Sequence, residues 1–262
     1  MTVGILGVVI IVLTFNLPEM LYAWLLHVGI LAAYIALVPL AASRPLLRGL
    51  TTIGVMFTLY MTLATIPFEA IPWHADGALS RADEVLFFGR NPSLWLEPRI
   101  TYGWLEFFSF VYALFIPYVY FSILLGLVGR PDAERNAFVT GLAVTYALGF
   151  LGYLFVPARG PVVSLASEFI APLEGGTFHD TIVRSVAQCG GPHGAFPSLH
   201  VGVSTYLCIF DLKWNRLRGL TYVPIVLLIM AATVVTRYHY VVDILGGVLV
   251  AAAGYRVARS EP

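Results

Sequence analysis

Three ionisable residues crowd one short stretch near the end of the chain, Arg237-Tyr-His239-Tyr-Val-Val-Asp243. If that stretch is helical, the four-residue spacing of His239 and Asp243 puts both on one face, with the carboxylate able to hold an imidazole nitrogen. A ring held that way aims its other lone pair outward, as a histidine nucleophile or base requires. Arg237 adds a planar fork suited to gripping an anion such as phosphate. The competing reading is a buried ion triplet that only staples helices together. Ionisable groups within apolar membrane segments are costly, which favours the functional reading.

Two further stretches carry related chemistry. His193-Gly-Ala-Phe-Pro197-Ser198-Leu-His200 leads from a loop into an apolar segment. There Pro197 suits a first helical turn, and Ser198 and His200 follow where open backbone N–H groups and the helix dipole favour an anion. Val-Pro-Ala-Arg159-Gly-Pro161 closes another apolar segment and presents Arg159. His193 is a candidate substrate contact, against the plainer reading of a solvated loop histidine. His179 with Asp180 reads as loop surface, His27 as a helix-packing residue and His74 as an interfacial one. A zinc site built from His193, His200, His239 and Asp243 is chemically conceivable, but the neighbouring arginines oppose a cation, and no metal or cofactor is called for.

Taken in order, these stretches resemble the signatures of the type-2 phosphatidic acid phosphatase superfamily. Those are a lysine with Arg-Pro, a Pro-Ser-Gly-His, and a Ser-Arg preceding a His with Asp four residues on. Pro197-Ser198-Leu199-His200 matches the second with Leu199 for glycine, and His239 with Asp243 matches the third. The resemblance implies that His239 is the nucleophile that becomes phosphorylated and that Asp243 orients it. It makes His200 the general acid for the leaving alkoxide, Ser198 a donor to the phosphate, and Arg159 and Arg237 its cationic grip. Three further positions depart from the pattern. Thr233 stands where the family has its arginine, with Arg237 one helical turn on as substitute. Gly160 intervenes between Arg159 and Pro161, and Gly152 occupies the lysine position, leaving Arg184 as a candidate replacement cation. The second and third stretches look most like the inositol phosphorylceramide synthase branch, which moves a head group between lipids. Hydrolysis and transfer both stay open.

Membrane helices have to position these groups. The chain of 262 residues is 59% hydrophobic and only 11% charged, with a mean hydropathy of +0.84, so it is no ordinary soluble domain. Its zero net charge gives no sign of a nucleic-acid partner. Apolar runs predict spans near 19–42, 49–66, 104–128, 137–156, 196–212, 220–236 and 238–257, with a shorter one at 3–15 that reads as retained. The expectation is an all-α polytopic transmembrane bundle of about seven to eight segments, with a six-helix phosphatase-type core. It forms one integral membrane domain over 1–262 with a signature-bearing part at about 137–257. Residues 74–103 mix charged and apolar types and predict short interfacial helices, whereas 157–195 predict a long non-helical insert. Cys189 and Cys208 fall at different depths, so no disulfide is expected.

Nine of the fifteen basic residues, Arg44, Arg48, Arg130, Arg135, Lys213, Arg216, Arg218, Arg256 and Arg259, fall in connections at one side. That side is expected to be cytoplasmic, which puts the reactive stretches at the extracytoplasmic face of a plasma (inner) membrane. The implied partners are the bilayer and a lipid phosphate. Two other classes compete: a channel or transporter, and an inactive relative that binds lipid phosphate. Against the first, the charges gather at one face with no inverted repeat; against the second, His200, His239 and Asp243 are all present.

Overall fold

A chain surrounded by hydrocarbon must satisfy its backbone polar groups internally, and a helix does so within one segment. The computed structural model describes residues 21–260 except 40, 42, 67, 69, 70, 72 and 189–192, so the expected span at 3–15 and Cys189 lie outside the described residues. Of the described residues 78% are helical, and none of them forms a strand. In chain order the helices are α1 (Leu21–Leu37), α2 (Pro45–Thr62), α3 (Asp76–Leu86), α4 (Pro92–Leu96), α5 (Tyr102–Leu127) and α6 (Asp132–Phe155). There follow α7 (Pro161–Ser164), α8 (Thr177–Gln188), α9 (Leu199–Trp214), α10 (Arg216–Val235) and α11 (Val241–Ser260). Among the described residues four helices, α5, α6, α10 and α11, are long and apolar enough to cross a membrane. The architecture is the all-α membrane bundle that composition leads one to expect.

The core is arranged around α9, which packs against α5, α6, α10 and α11. Although only 16 residues long, α9 is enclosed on nearly every side, and Val201, Val203, Tyr206 and Phe210 have no exposed surface. Tyr206 sends its hydroxyl to the carbonyl of Phe138 at 2.7 Å, so its one polar atom is satisfied within the apolar interior. Glycines let α6 and α11 approach closely: a Cβ added to Gly254 would collide with Thr145 Oγ1 and the carbonyl of Gly141. On the flank, α1 packs on α2 and α2 on α6.

Alternating helix directions bring the ends of α6 and α10 together with the starts of α9 and α11. The three reactive stretches meet there. At the opposite end Arg130 and Arg218 both pair with buried Asp211, and Arg135 Nε donates to the carbonyl of Leu127 at 2.7 Å. Some of the basic residues that mark this side also fasten its turns.

Two expectations need correction. The 157–195 insert is not non-helical, because it contains α7 and α8. The helix α8 is started from a distance: Glu106 on α5 accepts from the backbone N–H groups of Gly176, Phe178 and His179, filling the role of a cap that its own sequence lacks. The last helix begins at Val241 instead of Tyr238, which leaves His239 in the link before it.

Substituting Gly254→Leu forces a side chain into the α6–α11 contact and should cost about 1–3 kcal/mol. The thermal midpoint of detergent-purified protein should fall by several degrees, whereas Gly29→Ala, with open space around its Cβ position, should leave it unchanged.

Candidate active site

Helix starts and a tight link place the reactive side chains. Ser198 is the N-cap of α9, with its hydroxyl accepting from Val201 N at 3.4 Å, and this sets His200 in the first turn. Between α10 and α11 the chain reverses through Arg237, whose φ of 62° lies in the left-handed region that non-glycine residues rarely adopt. The carbonyl of Thr233 accepts from both Tyr238 N and His239 N, at 3.2 and 3.1 Å. That pair of bonds orients the link.

His239 Nδ1 lies 2.8 Å from the carbonyl of Ala195 and 3.4 Å from Asp243 Oδ2. A carbonyl can only accept, so Nδ1 carries the hydrogen and a neutral ring keeps its lone pair on Nε2. Asp243 therefore backs the imidazole from the third helical position, while its Oδ2 also takes Tyr240 N at 2.8 Å and caps α11. The two belong together, but across a helix start and not along one helical face.

The rings of His200 and His239 are 5.6 Å apart at an angle of 67°. Tyr112 and Phe115 flank His200, each with its ring centroid 4.5 Å away. Both histidines line a cavity of about 500 Å³ together with Arg159, His193, Tyr112, Tyr153 and Tyr238. His193 stacks on Phe68 at 5.4 Å in its wall. The remainder of the lining is largely apolar, supplied by α2, α5 and α8. Met61, Ile116 and Tyr120 line this cavity yet are 63, 51 and 55% exposed, so it opens sideways through the flank of the bundle.

Other expected residues are placed elsewhere. Arg237 is buried outside the cavity lining: Nη2 meets Glu97 Oε1 at 3.0 Å, Nη1 donates to the carbonyl of Ala171 at 3.0 Å, and the guanidinium lies 3.7 Å over the ring of Phe169. Arg184 is exposed on α8 and does not reach the cavity. Ser198 and Asp243 are fully enclosed behind the wall.

The departures from the family pattern have steric causes. At Gly152 a Cβ would run into the Pro197 ring, so a lysine has no room there. Gly160, at φ 78°, passes so close to the carbonyl of Tyr238 that any side chain would collide. Leu199 packs onto Gly149, where a Cβ would meet its branched tip.

Sequence reasoning passed over the acids of the 74–103 segment. Asp76 accepts from Arg159 N at 3.0 Å and from Gly160 N at 2.9 Å, and Asp83 accepts from Val241 N and Val242 N at 2.9 and 2.8 Å. Burial pushes the Asp83 carboxyl above its ordinary value, and those two amides oppose the rise. A signal was present: Asp76, Ser80 and Asp83 fall on one helical stripe, all buried, while Val85 of the same helix is 79% exposed. Such an inverted helix suits an apolar surrounding.

Burial works against ionisation of Glu97, but the amides of Ile170 and Ala171 and the charge of Arg237 prevail and hold its carboxyl below the usual glutamate value. Burial also pulls Arg237 down, yet a guanidinium stays protonated, so Glu97 is the titrating partner. A depressed carboxyl stabilises the fold fully above its unfolded value and loses that contribution as pH falls through the folded one. Wild type should therefore exceed Glu97→Gln in thermal midpoint at neutral pH, and the two curves should converge in acid.

No curated protein and no solved structure matches the chain. A family model described as the PAP2 superfamily matches residues 77–257, which takes in α3, all three reactive stretches and nearly all of α11. With that match over more than half its length, and with His200, His239 and Arg159 gathered at one cavity, the chain belongs to the PAP2 superfamily.

Proposed function

We propose that this protein transfers the phosphoryl group of a membrane lipid through a phosphohistidine on His239. Superfamily members are phosphatases and phosphotransferases, so the chain is a phosphoryl-transfer enzyme of that general kind. The observation that carries the finer reading is the approach of His200 to His239 in the wall of one apolar cavity beside Arg159.

Nε2 of His239 attacks phosphorus in line, forming an N–P bond as the bond to the leaving alcohol breaks. His200 gives its proton to that alkoxide. An imidazolium between two aromatic rings is costly alone and favourable next to the anion it serves. Asp243 and the Ala195 carbonyl hold the nucleophile's Nδ1–H and stabilise the charge the ring acquires, while Arg159 neutralises the oxygens of the transition state. Water, or a second lipid hydroxyl, then gives its proton to His200 and takes the phosphoryl group, giving hydrolysis or transfer. The lipid enters sideways past Met61, Ile116 and Tyr120. Basic residues at the far end favour a site facing the extracytoplasmic side.

One observation favours transfer from a phosphodiester. Among the described residues, which include all fifteen lysines and arginines of the chain, Arg159 is the one such cation that lines the cavity. One permanent guanidinium matches the single charge of a diester, whereas the second charge of a monoester faces only the His200 proton that the leaving alkoxide must take.

His239→Ala should lower turnover by more than ~10³-fold while the protein still purifies folded. Turnover is read on a panel of phosphatidate, prenyl pyrophosphate and an inositol phospholipid with a lipid alcohol. Wild-type rates in His239→Ala would remove the nucleophile. With wild type, the inositol phospholipid should be consumed fastest, yielding a new phospholipid and no free phosphate. Faster release of phosphate from phosphatidate would leave the nucleophile and overturn the diester reading.

A further inference from the structure

Three loops carry the reactive side chains, and α3 touches each one without lining the cavity. Its Leu79 is buried in a cluster with Ala158, Ala195 and Tyr240. Ala158 precedes Arg159, Ala195 holds His239 through its carbonyl, and Tyr240 follows His239. Ala75 N, just before the helix, donates to the carbonyl of Pro157 at 2.8 Å.

The two aspartates of α3 make the grip directional. Asp83 uses one oxygen for each of two consecutive amides, Val241 N and Val242 N, in the first turn of α11. A two-point hold fixes both the rotation and the height of that turn, and the turn lies between His239 and Asp243. Asp76 takes the amides of Arg159 and Gly160 and also the hydroxyl of Tyr240, at 3.2 Å. It thus joins the loop of the phosphate-binding cation to the loop of the nucleophile through one carboxylate. Both aspartates are buried, Asp83 completely, so each carboxylate depends on these amides to replace the water it has lost.

We infer that α3 is a positioning element of the active site, in which Asp83 and Asp76 set the placement of His239 relative to Arg159 and touch no substrate. The inference rests on the reading of His239 as the nucleophile. In-line attack tolerates little displacement, and an error of about 1 Å in such a site costs on the order of 10²-fold in rate.

Asp83→Asn keeps the shape but presents one acceptor and one N–H₂ to two amide donors. Kinetics are measured on dioleoyl phosphatidate and dioleoyl phosphatidylinositol in mixed micelles, using whichever wild type turns over faster, with His239→Ala alongside. Asp83→Asn should lower kcat about 10²-fold with KM within about two-fold, the pattern of an interaction that matters in the transition state. Tyr240→Phe removes the hydroxyl's bonds to Asp76 and Ser164 and keeps the ring packed, so it decides the matter if Asp83→Asn is not recovered folded. It should lower kcat about five-fold, again with KM little changed. Unchanged kcat in Tyr240→Phe and in folded Asp83→Asn, or a rise in KM at constant kcat, would overturn the inference. If His239→Ala is inactive at the same time, the nucleophile stands. Unchanged turnover in His239→Ala, or none of either lipid by wild type, would overturn both readings.

Discussion

Carboxylates that accept backbone amides hold this molecule's reactive end together. Asp76, Asp83, Glu97 and Glu106 all lie before the three reactive stretches in the chain, and each takes two or more N–H groups from a segment far downstream. Loops between membrane helices have few apolar contacts to define them, and their amides have no partner within a helix. An ionised acceptor facing several donors at once resolves both difficulties, since charge-assisted bonds are strong where solvent is scarce. The loops that carry the three reactive stretches are held by carboxylates of the α3–α5 region.

The bundle and the site depend on each other through α9. The enclosure of this helix keeps His200 at a fixed height, and Ser198 N donates to the carbonyl of Asp243 at 3.0 Å, tying its start to the start of α11. The same closeness explains why glycine recurs where α6, α9 and α11 meet. Gly149, Gly152 and Gly247 each face another element's atoms with no space for a Cβ. Tight approach excludes side chains there and takes away the place where a second cation could stand.

How much of this was legible beforehand follows from the range of each interaction. Hydrophobic runs marked the long helices because burial in lipid is a property of a segment by itself. His200, His239 and Arg159 were legible as a set because each lies at a helix end on one side. Arg237 was not, since spacing shows that a guanidinium is near a histidine but not that Glu97, far earlier in the chain, will hold it first. Ser198 illustrates the same ambiguity, because a hydroxyl at a helix start can serve the backbone or a ligand, and here it serves the backbone. The helix α8 went unseen because its cap comes from Glu106. The last helix was begun too early because Tyr238 and Tyr240 continue the apolar run, although the chain reverses between Arg237 and Tyr240.

The sideways opening beside Met61, Ile116 and Tyr120 changes the units in which encounter is counted. A molecule arriving by that route diffuses in the plane of a leaflet, so its supply is set by mole fraction among neighbouring lipids and not by molarity in the aqueous phase. Diluting the leaflet with inert lipid slows such arrivals even when the total amount per millilitre is constant, and crowding by other integral proteins does the same.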